Sequence, residues 1–445
     1  MSYHPPKLQL ENRRKEDEAG YRVSLTAWIM LNIKRIACAL LLAIAFTLWS
    51  YRPPEYLQTF GTGGLGPLKF TSNGTFQISI FEDLHFGENA WTQWGPQQDI
   101  WSTHVMNQVL DAETQKLVVL NGDLITGENT FLENSTDYID QIVAPLVRRG
   151  IPFASTYGNH DSAFNLSREN ILARERRHEN SLTSQMVFDA NAGVSNYYLP
   201  VYPSNGSTTP CLLLWFFDSR GGFHFQQRDA SGHPVGQPNW VDQTVVNWFR
   251  TTNDDLVQRY EKPIPSLAFV HIPTNASRVL QTEKGIDAHH QPGINDDYPL
   301  AQQGQGWCPD GSNDDSCDYG GQDVPFMEAI ASTRGLIALF SGHDHGDTWC
   351  YKWNSTLPGT TINGSGINLC FGQHSGYGGY GSWTRGSRQV RVTETMISDL
   401  SSLEIETWIR LETGEVVGDV VLNSTYGLDW YPATDDTHTH CPTCE

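Results

Sequence analysis

The chain has 445 residues, of which 39% are hydrophobic, and a formal net charge of −21 at pH 7. This length allows a large buried core and two or three domains. The negative charge argues against a nucleic-acid-binding protein, because a phosphate backbone attracts positive charge. It is compatible with a phosphorylated substrate, since bound divalent cations can reverse the local field.

The N-terminal region has the pattern of a segment that directs a chain into the secretory pathway. Seven Lys and Arg residues precede an apolar run from Ile36 to Trp49. By the positive-inside rule, residues 1–35 form a basic cytosolic tail and residues 36–50 a signal-anchor transmembrane segment, as in a single-pass type II membrane protein. The run is shorter than the roughly 20 residues of a typical span, so a late signal peptide and a secreted protein form the alternative.

Asparagine sequons agree with translocation across a membrane. Eight Asn-X-Ser/Thr motifs lie after the apolar run, and none has Pro at X. They begin at Asn73, Asn134, Asn165, Asn205, Asn275, Asn354, Asn363 and Asn423. Because this motif accepts N-glycans in secretory proteins, we expect glycosylation at several of the eight.

The cysteine pattern indicates disulfide bonds, which form in the same oxidising compartment. The pairs favoured by spacing are Cys308–Cys317 and Cys350–Cys370, with Cys211, Cys441 and Cys444 left undecided. Residues 426–445 are interpreted as a C-terminal tail. In this tail we favour a local disulfide between Cys441 and Cys444 over half of a zinc site with His438 and His440.

The central part of the chain predicts one α/β domain over residues 69–425, preceded by a Pro- and Gly-rich linker over residues 51–68. In chain order, the predicted elements are a strand at Phe76–Ile80, a helix around Ile100–Leu110, strands at Leu117–Leu120, Pro152–Tyr157, Cys211–Phe217 and Leu267–Val270, a helix at Met327–Ala331 and a strand at Leu336–Phe340. The stretch from Asn275 to Gln322 reads as a surface insertion, which forms either an active-site rim or a solvated loop.

Side chains that can bind metals follow several of these strands directly. They lie in Asp83-Leu84-His85, Gly122-Asp123, Gly158-Asn159-His160-Asp161, His271 and Gly342-His343-Asp344-His345. Polar groups at strand ends converge at the carboxyl edge of an α/β sheet, and carboxylate with imidazole suits zinc, iron or manganese. A carboxylate such as Asp123 can bridge two cations about 3.5–4 Å apart. The inventory therefore predicts a two-metal hydrolytic centre.

In their order, these motifs resemble the calcineurin-like metallophosphoesterase superfamily over roughly residues 76–392. The similarity is greatest to the single-domain branch that includes plant purple acid phosphatase 29 and related fungal phosphatases. The features that suggest this branch are Cys350, Asn368-Leu369-Cys370-Phe371-Gly372, Gly376-Tyr377, Arg385, Arg388 and Arg391. The resemblance implies a β-sandwich flanked by helices, with the metal centre at the carboxyl ends of the strands.

The resemblance also implies a ligand set for two metal ions, which are Fe, Zn or Mn. Asp83, His85, Asp123 and His345 would hold one ion, with Asp123 bridging, while Asn159, His271 and His343 would complete the second site. A hydroxide bridging the metals would attack phosphorus, and His160 would bind the phosphate and protonate the leaving alkoxide. Asp161 would either orient His160 or cap the next helix.

The chain departs from the purple enzymes at one position. Those enzymes place a metal-binding tyrosine three residues after the bridging aspartate, where this chain has Thr126, and they lack a counterpart of His85. We therefore expect no tyrosinate-to-iron charge-transfer band. His374 and the Asp218-Ser219-Arg220 stretch either touch substrate or are structural.

These inferences together predict a dinuclear-metal-dependent phosphoric monoester hydrolase that acts on a phosphorylated protein or small molecule. The alternative is a phosphodiesterase of the same superfamily that acts on a lumenal glycolipid or nucleotide, because the two activities differ in pocket shape and share their metal ligands. A non-catalytic glycoprotein is disfavoured, since all seven expected ligands and His160 are present.

Overall fold

A computed structural model describes residues 66–302, 306–309 and 316–439. The predicted cytosolic tail, the anchor at 36–50 and nearly all of the linker lie outside these residues, as do His440, Cys441 and Cys444, so the domain boundaries there remain predictions. Within the described ranges, no helix is both long and apolar enough to cross a bilayer.

Two six-stranded mixed sheets form the centre of the fold. The first has the order β14-β13-β12-β1-β2-β3 and the second the order β10-β11-β9-β8-β5-β4. The strands of the first are β1 (Thr75–Phe81), β2 (Leu117–Asn121), β3 (Phe153–Thr156), β12 (Gly386–Thr393), β13 (Ile405–Leu411) and β14 (Val416–Leu422). Those of the second are β4 (Tyr197–Val201), β5 (Leu212–Phe217), β8 (Ser266–Val270), β9 (Leu336–Ser341), β10 (Cys350–Trp353) and β11 (Ile367–Phe371). A separate hairpin pairs β6 (Phe223–Arg228) with β7 (Pro234–Gly236).

Each sheet contains a set of neighbouring parallel strands. β1, β2 and β3 are parallel neighbours in the first sheet, and β5, β8, β9 and β11 in the second. β5, β8 and β9 are almost continuous apolar runs, as expected for strands covered on both faces, whereas β1 alternates apolar and polar residues. Since parallel strands end at a common edge, residues that follow β1, β2, β3, β8 and β9 are brought together there.

Six α-helices accompany the sheets in the described ranges. They are α1 (Gly95–Ala112), α2 (Asp137–Arg149), α3 (Arg168–Glu175), α4 (Gln243–Tyr260), α5 (Asn275–Lys284) and α6 (Val324–Ser332). α1 and α2 bury residues against the first sheet and α4 and α6 against the second. The caps follow local chemistry: Ser167 accepts the amide of Asn170 at α3, and Gly150 ends α2 in the left-handed conformation.

The inner faces of the two sheets pack against each other. In the second sheet, the rings of Tyr197, Phe216, Phe269 and Phe340 stack in succession, with neighbouring centroids 4.5, 5.1 and 5.7 Å apart. The hydroxyl of Tyr197 donates to the carbonyl of Ser155 in β3, 2.9 Å away. Two facing sheets flanked by helices confirm the expected α/β sandwich.

The disulfide predictions are confirmed for the described cysteines. Cys308 pairs with Cys317 and Cys350 with Cys370, while Cys211 is half-buried and bonds to no other described cysteine.

The eight sequons differ in burial. Asn73, Asn205, Asn354 and Asn363 are exposed, and Asn134, Asn165 and Asn423 are half-buried. Asn275 opens α5 with only 4% of its surface exposed. A glycan at Asn275 would not fit this packing, so the expectation of glycosylation is restricted to the other sites.

Candidate metal centre

The predicted ligand side chains converge at the carboxyl edge of the two sheets. Two buried groups of three residues each have ligand atoms that lie within 4.8 Å of one another. One group is Asp83, His85 and His345, and the other is Asp123, His271 and His343. The predicted ligand set also places Asp83, His85 and His345 together and His271 and His343 together. Asp123, expected as the bridging ligand, falls in the second group, and Asn159 is in neither.

Asp123 lies between the two groups. Its Oδ2 is 3.0 Å from Nε2 of His271 in one group and 3.9 Å from Nε2 of His85 in the other. Asp83 Oδ1 is likewise 3.4 Å from Nε2 of His345 and 3.8 Å from Nε2 of His271. A carboxylate in the position of Asp123 can reach cations in both sites.

Several buried polar atoms of the centre have no hydrogen-bond partner among the described residues. They are Nε2 of His85, Oδ1 of Asn159 and Nε2 of His343. Buried polar atoms are nearly always paired, because an unpaired one costs the desolvation energy of the group. Cations at this place would supply the missing partners, so the donor set fits two metal ions.

The other ring nitrogen of three histidines is held from outside the centre. The pairs are His85 Nδ1 with Thr126 Oγ1 at 3.1 Å, His271 Nδ1 with the carbonyl of Asn121 at 2.8 Å, and His345 Nδ1 with the carbonyl of Tyr380 at 2.9 Å. When each Nδ1 donates its proton in these bonds, each Nε2 keeps a free lone pair directed at the centre. Such partners fix the orientation and tautomer of a metal-binding histidine.

Four candidate ligands adopt left-handed backbone conformations. The φ angles are 53° at Asp83, 49° at His85, 48° at Asp123 and 76° at His343. For a residue with a Cβ this conformation costs roughly 1–2 kcal/mol, and such strain is concentrated at functional sites. Each of these turns follows directly after a buried strand and turns the side chain into the centre.

Two glycines in the motifs are required by close approach. A Cβ at Gly158 would lie 2.2 Å from Oδ1 of Asp123, and one at Gly342 would lie 2.8 Å from Oδ2 of Asp83. The left-handed residue beside Gly342 is His343, and Gly342 makes room for a carboxylate.

The electrostatics of the centre favour anionic carboxylates at Asp83 and Asp123 and neutral imidazoles at His85 and His343. Burial opposes the charge of Asp83, but His345 and His271 hold its pKa below the usual value. The pKa of Asp123 is likewise well below normal because His271 and His160 outweigh burial. Burial lowers the pKa of His85 to about 3 and that of His343 to about 4. Burial also opposes the charge of His271, but Asp123 and Asp83 outweigh it and raise its pKa to about 10, so a cation bound there would displace the proton on its Nε2.

His160 lies at the mouth of the centre, with 35% of its side chain exposed. Its Nδ1 is 2.6 Å from Oε1 of Glu128, its amide donates to Asp123 Oδ1 at 2.8 Å, and its ring centroid is 5.0 Å from that of His85. Partial burial opposes its charge, but the carboxylates of Asp123 and Glu128 prevail and raise its pKa to about 9. His160 is therefore cationic at neutral pH.

Glu128 was not found by sequence reasoning. It lies in a short 3₁₀ turn, Gly127–Asn129, in the loop that follows Asp123. No recurring motif marks this position, and the only available signal was a carboxylate close in sequence to the predicted bridging aspartate.

Asp161 has neither of its two expected roles. Its Oδ1 accepts the amides of Leu124 and Ile125 at 2.9 and 3.0 Å, and its Oδ2 accepts that of Gly158 at 2.9 Å. The cap of the next helix is Ser167. Asp161 thus ties the loop of Asp123 to the loop of Asn159.

The remaining candidates are structural. His374 is buried behind His345, with ring centroids 3.9 Å apart, and its Nε2 lies 3.0 Å from the carbonyl of Gly378. Arg385 and Arg388 are buried, and their guanidinium groups donate hydrogen bonds to main-chain carbonyls. Asp218 accepts the amides of Val194 and Arg220 at 2.7 and 2.8 Å in a turn.

A cleft of about 470 Å³ opens above the centre. Its lining comprises His85, Glu88, Asp123, Thr126, Glu128, Asn159, His160, Ala301, His343, His345, Gly379 and Tyr380. Ala301 belongs to the predicted insertion, and its amide donates to Asp344 Oδ1 at 2.8 Å. Within the described part of the insertion, which begins with α5, Ala301 is the residue that lines the cleft.

Residues 83–347 match the model of the calcineurin-like phosphoesterase family, and the chain belongs to this family. The protein is a phosphoesterase whose two buried ligand groups indicate a dinuclear metal centre.

The chain is also similar to several individual proteins. "Probable inactive purple acid phosphatase 29" of Arabidopsis thaliana is 26% identical over 378 residues, which cover 78% of this chain and 84% of that protein. "Probable inactive purple acid phosphatase 14" of the same plant is 25% identical with the same coverage. "Phosphatase DCR2" of Saccharomyces cerevisiae is 26% identical over 379 residues, 82% of this chain and 59% of that protein. A solved dimetal phosphatase from Danio rerio has 14% identity and a TM-score of 0.45, and the match covers 78% of this chain and 98% of that one.

Proposed function

We propose that this protein hydrolyses phosphoric monoesters with two bound metal ions and with His160 as the proton donor to the leaving group. The observation that carries the proposal is the juxtaposition of a cationic imidazole with two buried groups of ligand side chains, among which Nε2 of His85 and Nε2 of His343 have no hydrogen-bond partner in the described part of the chain. The two plant relatives reported above are named as inactive, so hydrolysis by this chain is part of the proposal.

The residues that would hold the metals are those of the two buried groups together with Asn159. Asp83, His85, His345 and Asp123 would bind one ion, and Asp123, Asn159, His271 and His343 the other. Fe, Zn and Mn all suit these donors. Bound cations would supply Lewis acidity toward a phosphoryl oxygen and would acidify water at the centre.

The protein side chains position and protonate the substrate. Glu128 occupies Nδ1 of His160 at 2.6 Å, so Nε2 is the nitrogen that remains for the substrate. A proton on Nε2 can bind a phosphate oxygen and pass to the leaving alkoxide as the P–O bond breaks. Asp123 accepts the His160 amide, which couples the placement of this acid to the metal site.

We further propose that the catalytic domain lies outside the cytosol. The two disulfides and the exposed sequons at Asn73, Asn205, Asn354 and Asn363 support this location. The membrane anchor at residues 36–50 is part of the same proposal. A mobility shift on removal of N-glycans, together with protection from protease in intact microsomes, would test it.

The central experiment measures metal content and phosphatase activity of the full-length chain beside Asp123→Asn, His160→Ala and the exposed control His104→Ala. We expect about two metals per wild-type chain and a loss or disordering of metal in Asp123→Asn. His160→Ala should keep its metal but lose on the order of 100-fold or more in rate, while His104→Ala should match wild type.

Comparison of p-nitrophenyl phosphate with its bis-ester separates a monoesterase from a phosphodiesterase. A folded wild-type protein without metal or activity would contradict the proposal and favour a binding glycoprotein.

A further inference from the structure

The walls of the cleft carry no positive side chain apart from histidine. Among the described residues, no Lys or Arg lines it, and the charged groups beyond the metal ligands and His160 are Glu88 and Glu128. The basic residues that follow the last metal motif do not reach the cleft, since Arg388 donates to the carbonyl of Phe371 inside the fold. Substrate charge outside the phosphate would therefore meet carboxylates.

Glu88 is fixed close to the metal centre. Its Oε2 accepts the amide of Gly379. A Cβ at Gly379 would lie 2.5 Å from Cε1 of His345 and 2.8 Å from Cδ2 of His85. The carboxylate is thus separated from two ligand imidazoles by a single glycine, and only a glycine fits there.

The two carboxylates differ in their partners. Glu128 is paired with cationic His160 at 2.6 Å, so its charge is compensated within the protein. Glu88 forms no ion pair with any described Lys, Arg or His. Its charge is left to act on the molecule that enters the cleft.

The charge of the metal centre itself does not remove this effect. Asp83 and Asp123 cancel half of the charge of two divalent cations, and the dianionic phosphate of a monoester cancels the rest. The leaving group then meets the carboxylate of Glu88, which has no ion-pair partner among the described residues, within a protein of net charge −21. A carboxylate in this position repels a leaving group that is anionic and attracts one that is cationic.

We propose that Glu88 is a specificity-determining residue that selects phosphomonoesters whose leaving group carries a cation, such as an ammonium, close to the ester oxygen. Substrates with a second anionic group near the phosphate are rejected by the same carboxylate. This inference rests on the proposed monoesterase function and names its substrate class.

The test uses three substrates of nearly equal size: 2-aminoethyl phosphate, 2-hydroxyethyl phosphate and 2-phosphoglycolate. For the full-length, metal-loaded protein we expect kcat/KM to fall in that order. In Glu88→Gln, which keeps an acceptor for the Gly379 amide, the ratio of the first to the third should fall by about tenfold. Because intrinsic leaving-group reactivity is the same for both proteins, it cancels in this comparison. The exposed Glu179→Gln should leave the ratio unchanged.

A second readout does not depend on turnover. Dissociation constants of the nonhydrolysable 3-aminopropylphosphonate and 3-hydroxypropylphosphonate should favour the amine in wild type, and Glu88→Gln should erase most of the preference. If p-nitrophenyl phosphate is not hydrolysed but the amine binds more tightly, the monoesterase proposal fails and the charge selection stands. An unchanged ratio in Glu88→Gln, or loss of metal from that variant, would overturn the role assigned to Glu88.

Discussion

The hydroxyl of Thr126 lies 3.1 Å from Nδ1 of His85. Thr126 stands where the purple enzymes have a metal-binding tyrosine, and His85 is the ligand candidate that those enzymes lack. The two differences from the purple enzymes, Thr126 and His85, therefore belong to one structural feature, because the two side chains contact each other. A small hydroxyl residue leaves room for the imidazole and holds it in the tautomer that presents Nε2 to the centre.

The first prediction concerns this pair. Thr126→Val keeps the volume of the side chain but removes the acceptor for the His85 Nδ1 proton. We expect a loss of about 10–100-fold in metal affinity, measured by competition with a chelator. Thr130→Val is the matched control, because Thr130 is also buried and its hydroxyl donates to the carbonyl of Gly127, outside the metal centre. Equal affinities in the two variants would show that Thr126 does not hold His85.

The iron-loaded protein should lack an intense visible absorption band. Tyr380 is the only tyrosine among the described residues that line the cleft. Its hydroxyl lies 2.6 Å from Asp297 Oδ2 and accepts the amide of His345, while its ring stacks on His345 at a centroid distance of 4.1 Å. A hydroxyl engaged in this way is not directed at a cation. A strong band that disappears in Tyr380→Phe would contradict this expectation.

The ligands could be predicted because each follows a buried strand, and the strands are the strongest signal in this sequence. Asp123 after Leu117–Asn121 and His271 after Ser266–Val270 are examples. Glu88 and Glu128 could not be predicted, because their positions depend on how loops fold over the finished sheet edge. The same limit explains the error over Asp161, whose three amide partners come from two separate loops.

The strands after residue 386 were also missed. β12 has the sequence Gly-Ser-Arg-Gln-Val-Arg-Val-Thr, and most of its polar residues are nevertheless buried. Their burial depends on partners distant in sequence, such as Ser387 Oγ, which donates to the carbonyl of Ile80 at 2.8 Å. Local patterns cannot reveal such pairings, so no strand was predicted for this half of the first sheet.

Arg388 should contribute to stability and not to substrate binding. It is 1% exposed, and burial lowers its pKa to about 10, so it remains charged at neutral pH. It donates to Phe371 O at 2.6 Å and to Thr407 Oγ1 at 3.0 Å. Arg388→Gln leaves these acceptors short of donors inside the fold, and we expect a loss of about 3–5 kcal/mol in the free energy of unfolding.

The matched control is Arg391→Gln in the same strand. Arg391 pairs with Glu406, and both side chains are more than a third exposed, so its removal should cost about 1 kcal/mol or less. Thermal or denaturant unfolding of the metal-loaded proteins measures the difference. A normal unfolding free energy with raised KM in Arg388→Gln would instead place this arginine at the substrate.

The last prediction is the pH dependence of the proton donor. His160 must be protonated to donate, and the carboxylates of Asp123 and Glu128 raise its pKa to about 9. The protonated form is present below this pKa, so activity should fall as pH rises through it. Cations bound at Asp123 reduce that residue's contribution, which leaves Glu128 as the main support of the imidazolium. In Glu128→Gln the alkaline limb of kcat should therefore move to lower pH by about one unit or more.

A comparison of two substrates distinguishes protonation of the leaving group by His160 from a purely electrostatic effect of its charge on the rate. Phenyl phosphate has a poor leaving group that needs protonation, whereas p-nitrophenolate departs with less assistance. In Glu128→Gln, the loss of rate at alkaline pH should be larger for phenyl phosphate than for p-nitrophenyl phosphate. The exposed Glu133→Gln should leave the pH–rate profiles of both substrates unchanged. An identical alkaline limb in wild type and Glu128→Gln would mean that the proton comes from another group, since loss of the only carboxylate on Nδ1 must lower the pKa of His160.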